Sequence, residues 1–430
     1  MSKILLISHI FPPAIDGGSR VIYKLGQQFE NRGHQTLYLS SDCSSTDDFV
    51  KSKYLKSEKL TSDQLKLPVY HSLRRSLKFL NIFIPKKTYF HQLLQVFQKG
   101  PIFKFIPFLK AIIKILKFKP DLIVTGPLPT TIVLYAHLIR YFSTYLLHYS
   151  PKLLINSSFH PTDPDFLQKP LINSLKKADY LWTLTKFETN YFIKNFKINP
   201  KKIILAGNGV DSDFLKNPSV PSEHLPLMKG RNTSPSFPQR RGSGGRFNIL
   251  FIGSLSAHKR VDLLINSFSF LLTNKLINYS TTQLIIAGQK TLYYPQIKKN
   301  INSLSPKIRK KIKFVFNFPQ DKLAKLIDNC TFLVLPSIQE SFGLVLIEAW
   351  ARGKPVIVSD IPSLSELVNN TNGGLIFKKD NQEDLANKMK KLFDSPERCQ
   401  QYGQNGLNYV KTNYTWEKVG QKICQKINLS

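Results

Sequence analysis

Glu340 and Glu348 lie in the stretch Pro336-Ser337-Ile338-Gln339-Glu340-Ser341-Phe342-Gly343-Leu344-Val345-Leu346-Ile347-Glu348-Ala349. The apolar run Thr331–Leu335 before it reads as a buried parallel strand, and Gly343–Trp350 as a helix starting near Phe342. Glu340 then sits on the loop at the strand's carboxyl end, with Glu348 about a turn and a half into the helix. First-turn N–H groups around Phe342, Gly343 and Leu344 lack partners within the helix and can receive sugar oxygens or phosphate. Two carboxylates there suit a hydroxyl-rich ligand, since each accepts two or more charge-assisted hydrogen bonds. An isolated pair of this kind is more often a solvated helix face. Gly17 and Gly18 fall between the first strand and the first helix, where the missing Cβ lets backbone approach a phosphate. The same pair can be a simple turn, and no GxGxxG fingerprint accompanies it. His160, just after the strand Leu153–Ser157, can hydrogen-bond a sugar hydroxyl or steady transition-state charge. Asp211-Ser212-Asp213 has the spacing of a metal motif but is not at a strand end, and no metal is expected.

The elements that must position these residues form two runs of alternating strand and helix. Lys3–Ser8 is a strand, Ser19–Arg32 a helix capped by Gly33, and Thr36–Leu39 a second strand, which makes a βαβ unit. The alternation continues through the helix Ile106–Lys119 and the strand Asp121–Thr125. Leu153–Ser157, the helix Leu171–Lys177, Tyr180–Leu184 and Ile203–Leu205 follow, so residues 1–215 form one domain. Residues 216–246 are rich in Pro, Ser, Gly and Arg and read as a linker. Residues 247–412 repeat the pattern, with strands at Asn248–Ile252, Gln283–Ala287, Lys313–Phe316, Thr331–Leu335, Pro355–Val358 and Gly374–Phe377. Asn413–Ile427 is expected to be a terminal helix with Trp416, Val419 and Ile423 on one face. The fold class is α/β: two doubly wound, Rossmann-like domains facing a central cleft, where ligands bind in such folds.

Glu340-x7-Glu348, with Pro336-Ser337 before it and Gly353-x-Pro355-Val356-Ile357-x-Ser359-Asp360 after it, resembles the donor-binding core of the retaining GT-B glycosyltransferases of family 4. Other segments resemble the same family in the same order. They are Pro12-Pro13 with Gly17-Gly18, Arg32-Gly33-His34, Gly207-Asn208-Gly209-Val210-Asp211, Phe251-Ile252-Gly253 with Lys259-Arg260-Val261-Asp262, and Ala287-Gly288. An ordered set spanning most of the chain is far more specific than one glutamate pair. The resemblance implies transfer of a sugar from a nucleotide-diphosphate sugar to a glycan or lipid-linked acceptor, in cell-surface polysaccharide or glycolipid synthesis. No cofactor beyond that co-substrate and no metal are implied. It puts Glu340 on the donor sugar's hydroxyls, Glu348 on the ribose, His160 near the transferred sugar and Gly17-Gly18 at the donor phosphates. Lys259 matches the lysine on the diphosphate, where an ammonium offsets charge growing on the leaving group. Gly253 opens the diphosphate loop. The family usually has an arginine after this glycine, and this chain has Ser254, so the clamp is either weakened or completed by Arg260. The terminal helix is implied to pack back on the N-terminal domain. A nucleotide-sugar epimerase of the same architecture and an inactive homologue stand as alternatives.

The charge sets the remaining expectations. The chain has 430 residues, 61 Lys+Arg against 28 Asp+Glu and a formal net charge of +33. Four scattered Cys form no CxxC pair, which excludes a Cys-based zinc knuckle and a dense disulfide framework and suits a reducing cytoplasm. Residues 51–120 hold 16 Lys+Arg and only Glu58 and Asp63 as acids, interleaved with aromatic and aliphatic residues. Basic amphipathic stretches like Leu73–Phe90 can lie in an anionic membrane interface, whereas Phe108–Lys119 reads as a domain helix with a solvated face. The expectation is a cytoplasmic enzyme, peripheral on the inner face of the membrane. No nucleic-acid-binding module is recognisable, so no specific nucleic-acid partner is expected.

Overall fold

The computed structural model of the chain describes residues 1–11, 17–43, 63–69, 88–97, 101–215, 247–278, 280–316, 318 and 322–429. The Pro12-Pro13 pair, the linker 216–246 and much of the basic stretch 51–120, including most of Leu73–Phe90, lie outside the described residues. The chain divides into two compact units, Met1–Asn208 with Trp416–Ser430, and Gly209–Thr415.

The first unit is built on a seven-stranded parallel sheet. Its strands are β1 (Lys3–Ile7), β2 (Gln35–Ser41), β3 (Gln64–Leu67), β4 (Leu122–Thr125), β5 (Lys152–Asn156), β6 (Tyr180–Thr183) and β7 (Ile203–Leu205). The order β3-β2-β1-β4-β5-β6-β7 reverses direction between β1 and β4, the switch point of a doubly wound sheet. β1 and β4 pair with Leu5 opposite Ile123, and every residue of Leu122–Thr125 is buried. Helices on both faces demand such unbroken apolar runs. Helix Gly17–Glu30 starts at the glycine pair and sends Val21, Ile22, Leu25 and Phe29 into the core. Helix Trp416–Ile427 lies against it, so close that a Cβ on Gly420 would stand 2.9 Å from Gln28 Cβ. Arg32 Nη2 donates to the Glu417 carbonyl at 3.1 Å across the same contact.

The second unit has a six-stranded parallel sheet in the order β10-β9-β8-β11-β12-β13. The strands are β8 (Phe247–Ile252), β9 (Thr282–Gly288), β10 (Ile312–Phe316), β11 (Phe332–Leu335), β12 (Val356–Ser359) and β13 (Gly374–Phe377). Its switch point lies between β8 and β11. Helix Leu344–Ala351 is braced by helix Pro396–Asn413 through two glycines: a Cβ on Gly406 would stand 2.1 Å from Trp350 Cδ1, and one on Gly403 2.0 Å from the Gly353 carbonyl oxygen.

The tail corrects the sequence reading. Asn413–Ile427 is not one helix. Asn413 ends the helix Pro396–Asn413, and the next helix starts at Trp416. Between them the Tyr414 carbonyl accepts from Val210 N–H at 2.8 Å, and Thr415 pairs in parallel with Val210. That bond takes the Tyr414 carbonyl out of any helical ladder.

Candidate active site

The β8 and β11 loops leave adjacent strands at the switch point, and two bonds tie them together. Ile338 N–H donates to the His258 carbonyl at 2.8 Å. Lys259 Nζ and Glu340 Oε2 form an ion pair at 2.5 Å, with both side chains mostly buried. Two residues 81 positions apart in sequence, proposed for one donor, are thus side by side.

Each loop has a local reason for its shape. After β8 the chain makes a single 3-10 turn, Ala257–Lys259, and Arg260 adopts a left-handed φ of 48° to start helix Val261–Thr273. That reversal gives the adjacent cations different partners. Lys259 faces Glu340, while Arg260 binds Asp380 and lies 3.4 Å from Asp262. Ser254 Oγ lies 3.2 Å from Ser256 Oγ, within its own loop. The first residue of this loop, Gly253, donates to the Ala287 carbonyl at 3.0 Å, and a Cβ on Gly288 would stand 1.8 Å from Gly253 O. Only glycine at 288 lets the ends of β8 and β9 come this close.

After β11, Gly343 turns the chain into helix Leu344–Ala351 at a φ of 77°. Ser363 Oγ donates to the Glu340 carbonyl at 2.5 Å and fixes the loop from beneath. Phe342 is buried edge-on against Tyr414, ring centroids 5.2 Å apart, so its side chain is a core contact. Leu344 opens the helix, and Glu348 lies further along it, buried.

Gly17, Gly18 and His160 belong to the first unit. A Cβ on Gly18 would stand 2.4 Å from Pro127 Cγ, so packing alone requires this glycine. Gly17 is the exposed first residue of its helix. His160 follows β5, half-buried, its ring edge-on to Phe166 at 5.2 Å and its carbonyl accepting from Asp163 N–H at 3.1 Å.

Beneath the His160 loop lies Glu188, which the sequence reading did not single out. Its carboxylate accepts from Ser157 Oγ at 2.6 Å, Phe159 N–H at 2.9 Å and Leu184 N–H at 2.6 Å. Burial pushes its carboxyl up to about 7, against the opposing pull of those donors and the Thr185 backbone. Thr185 in turn caps the same helix, its hydroxyl accepting from Glu188 N–H. Thr185-x-x-Glu188 is a capping box, a signal readable in the sequence. What the pattern could not disclose is that the glutamate also holds the end of β5.

Among the described residues no group of His, Cys, Asp and Glu is placed to hold a metal ion, and no helix is long and apolar enough to cross a membrane.

Comparison with known proteins fits this arrangement. The family model "Glycosyltransferase Family 4" matches residues 15–214, and "Glycosyl transferases group 1" matches residues 235–409. An uncharacterised glycosyltransferase of Methanocaldococcus jannaschii is 29% identical over 258 residues, 59% of this chain and 66% of its own length. The O-antigen chain mannosyltransferase RfbU of Salmonella typhimurium is 27% identical over 223 residues, 52% of this chain and 58% of its own. The chain thus spans less than two thirds of either relative. Anabaena HepE, solved in complex with UDP and glucose, superposes with a TM-score of 0.67 at 15% identity, covering 100% of both chains.

Proposed function

We propose, for a chain that belongs to the GT-B glycosyltransferases of family 4, retaining transfer of a sugar from a nucleotide-diphosphate sugar to a glycan or lipid-linked acceptor. The observation that carries this reading is the Lys259–Glu340 pair across the second unit's switch point. A donor entering there would divide the pair. The Lys259 ammonium turns to the diphosphate and the Glu340 carboxylate to the sugar hydroxyls, while Glu348 takes the ribose. As the glycosidic bond breaks, negative charge grows on the leaving phosphate. An ammonium held in a partly buried site stabilises that charge more than it stabilises the ground state. This role is the one a divalent ion plays in other transferases, and activity is expected to survive EDTA.

Arg260 is held by Asp380 and Asp262, so we assign the diphosphate chiefly to Lys259 and to the backbone N–H of Ser254. His160, on a loop held by Glu188, is assigned to the transferred sugar. HepE carries UDP and glucose, and the Salmonella relative builds O-antigen. The first supports a sugar nucleotide as donor, and the second a cell-surface polysaccharide or glycolipid as product. The basic stretch 51–120 supports a cytoplasmic enzyme peripheral on an anionic membrane.

The test is a thermal-shift panel of sugar nucleotides with the purified chain. A donor at 100 times its Kd stabilises the native state by about 2.7 kcal/mol, so one strong hit names the base and sugar class. Stabilisation by no sugar nucleotide, with intact folding, would sink the reading.

A further inference from the structure

Fifteen large apolar residues stand exposed among the described residues, and nine of them fall on two helices of the first unit, Phe105–Phe118 and Ile132–Leu147. The two helices touch, with Phe108 and Tyr135 ring centroids 5.0 Å apart. On the first helix Phe108, Ala111, Ile112 and Ile115 face the core. Its outer side is not simply a solvated lysine face. Ile106, Leu109 and Ile113, spaced three and four apart, form an exposed apolar stripe. Lys110, Lys114 and Lys117, exposed at the same spacing, run beside it. On the neighbouring helix Tyr141 and Tyr145 are exposed with ring centroids 4.2 Å apart. From Lys104 to Lys119 there are five lysines and no Asp or Glu.

Water is a poor partner for this outer stripe, and the lysines narrow what else can cover it. A second copy would bring five more lysines against these, a like-charge arrangement that opposes association. A nucleic acid would use the cations but leave the Ile and Leu side chains without a role. An anionic lipid surface uses both. Cations sit at headgroup level, isoleucine and leucine reach the acyl boundary, and tyrosine rings suit the interface between them.

We propose that the outer face of helices Phe105–Phe118 and Ile132–Leu147 is where this protein lies on an anionic lipid surface. This deepens the reading of an enzyme with a membrane-surface acceptor and rests on it for its purpose. It moves the contact, however, onto a helix whose sequence read as ordinary and onto a second helix outside residues 51–120.

The experiment is co-sedimentation of the full chain with phosphatidylcholine vesicles, with and without phosphatidylglycerol. Wild type should bind only the phosphatidylglycerol vesicles and be released by salt. Lys110→Gln/Lys114→Gln/Lys117→Gln should weaken binding by about fivefold per lysine. Ile106→Ser/Leu109→Ser/Ile113→Ser should weaken it about tenfold or more at low salt, where the charges are intact. All six positions are exposed, and donor-induced thermal shifts should match wild type. Vesicle binding unchanged in the apolar triple variant would overturn the proposal. So would an apolar variant that changes the protein's mass in solution without vesicles, because the face would then be a protein interface. Vesicle binding as expected, with no thermal shift from any sugar nucleotide, would leave this face standing and remove the transferase reading.

Discussion

At the scale of single residues the Lys259–Glu340 pair makes the sharpest demand. If the two act on one donor, their losses cannot be independent. Lys259→Ala should lower kcat by about 10²–10³-fold, the range for removing one preorganised charge-stabilising group, and raise KM much less. Glu340→Gln should be comparably severe, and the double variant should fall well short of the product of the two losses. Steady-state kinetics on the three variants checks this. Strictly multiplicative losses would mean that the two groups act independently and share no donor. Glu188 makes a demand of a different kind. Its buried carboxyl, pushed up to about 7, keeps a proton in the folded state that the unfolded chain has already lost above the ordinary carboxylate range. The stability this contributes is complete at the acid end of that window and declines as pH rises through about 7. Glu188→Gln removes the titration, so the variant's melting temperature should vary less than wild type's between about pH 5 and pH 8. The same slope in both proteins would show that Glu188 does not titrate there. The amide cannot accept on both sides, so the loop holding His160 should loosen and turnover should fall even where the melting temperature does not.

At the scale of elements, what was legible depended on whether a segment carried its own signal. Buried strands such as Phe332–Leu335 and Val356–Ser359 read directly, because parallel strands covered on both faces are short apolar runs. Glu340, Glu348 and Lys259 were legible through strand ends and ordered motifs. That Lys259 touches Glu340 was not, since nothing in 81 residues of separation encodes a distance. Helix Pro396–Asn413 was missed for a physical reason. Gly403 and Gly406 depress its intrinsic helix propensity, each by about 1 kcal/mol relative to Ala, and they are there so that the helix can close on Gly353 and Trp350. The paired rings of Tyr141 and Tyr145 were equally hidden, because exposure is a property of the assembled unit. The missed helix yields a prediction. Gly406→Ala improves local propensity but drives a Cβ to 2.1 Å from Trp350 Cδ1. Overpacking of this kind costs about 1–3 kcal/mol. Trp350 shares helix Leu344–Ala351 with Glu348, so donor affinity should fall along with stability, and tryptophan fluorescence should shift. A variant more stable than wild type would show that the close approach is not needed.

At the scale of the whole molecule the chain leaves the first unit after Asn208, forms all of the second, and returns at Trp416. The last helix is therefore a remote part of the first unit's core, not an appendage of the second. It buries Trp416, Val419, Ile423 and Ile427 and places Gly420 against Gln28 of helix Gly17–Glu30. At about 1.5–3 kcal/mol for each buried large side chain, these four contribute roughly 6–12 kcal/mol before entropy is subtracted. A typical domain has only about 5–15 kcal/mol in total. Ending the chain after Thr415 should consequently cost the first unit most of its margin while removing nothing from the second unit's sheet or from the Lys259–Glu340 pair. The expected result is a truncated protein with two behaviours. Its first unit should be open to proteolysis and bind a hydrophobic dye, whereas its second unit should still melt cooperatively and still be stabilised by the same sugar nucleotide as the full chain. Limited proteolysis with mass mapping, run beside the thermal-shift panel, separates the two. Protection of residues 1–208 equal to that of the full chain would mean that the tail helix is dispensable. Loss of donor stabilisation with the second unit intact would mean that the first unit supplies part of the donor site that we assign to Lys259, Glu340 and Glu348.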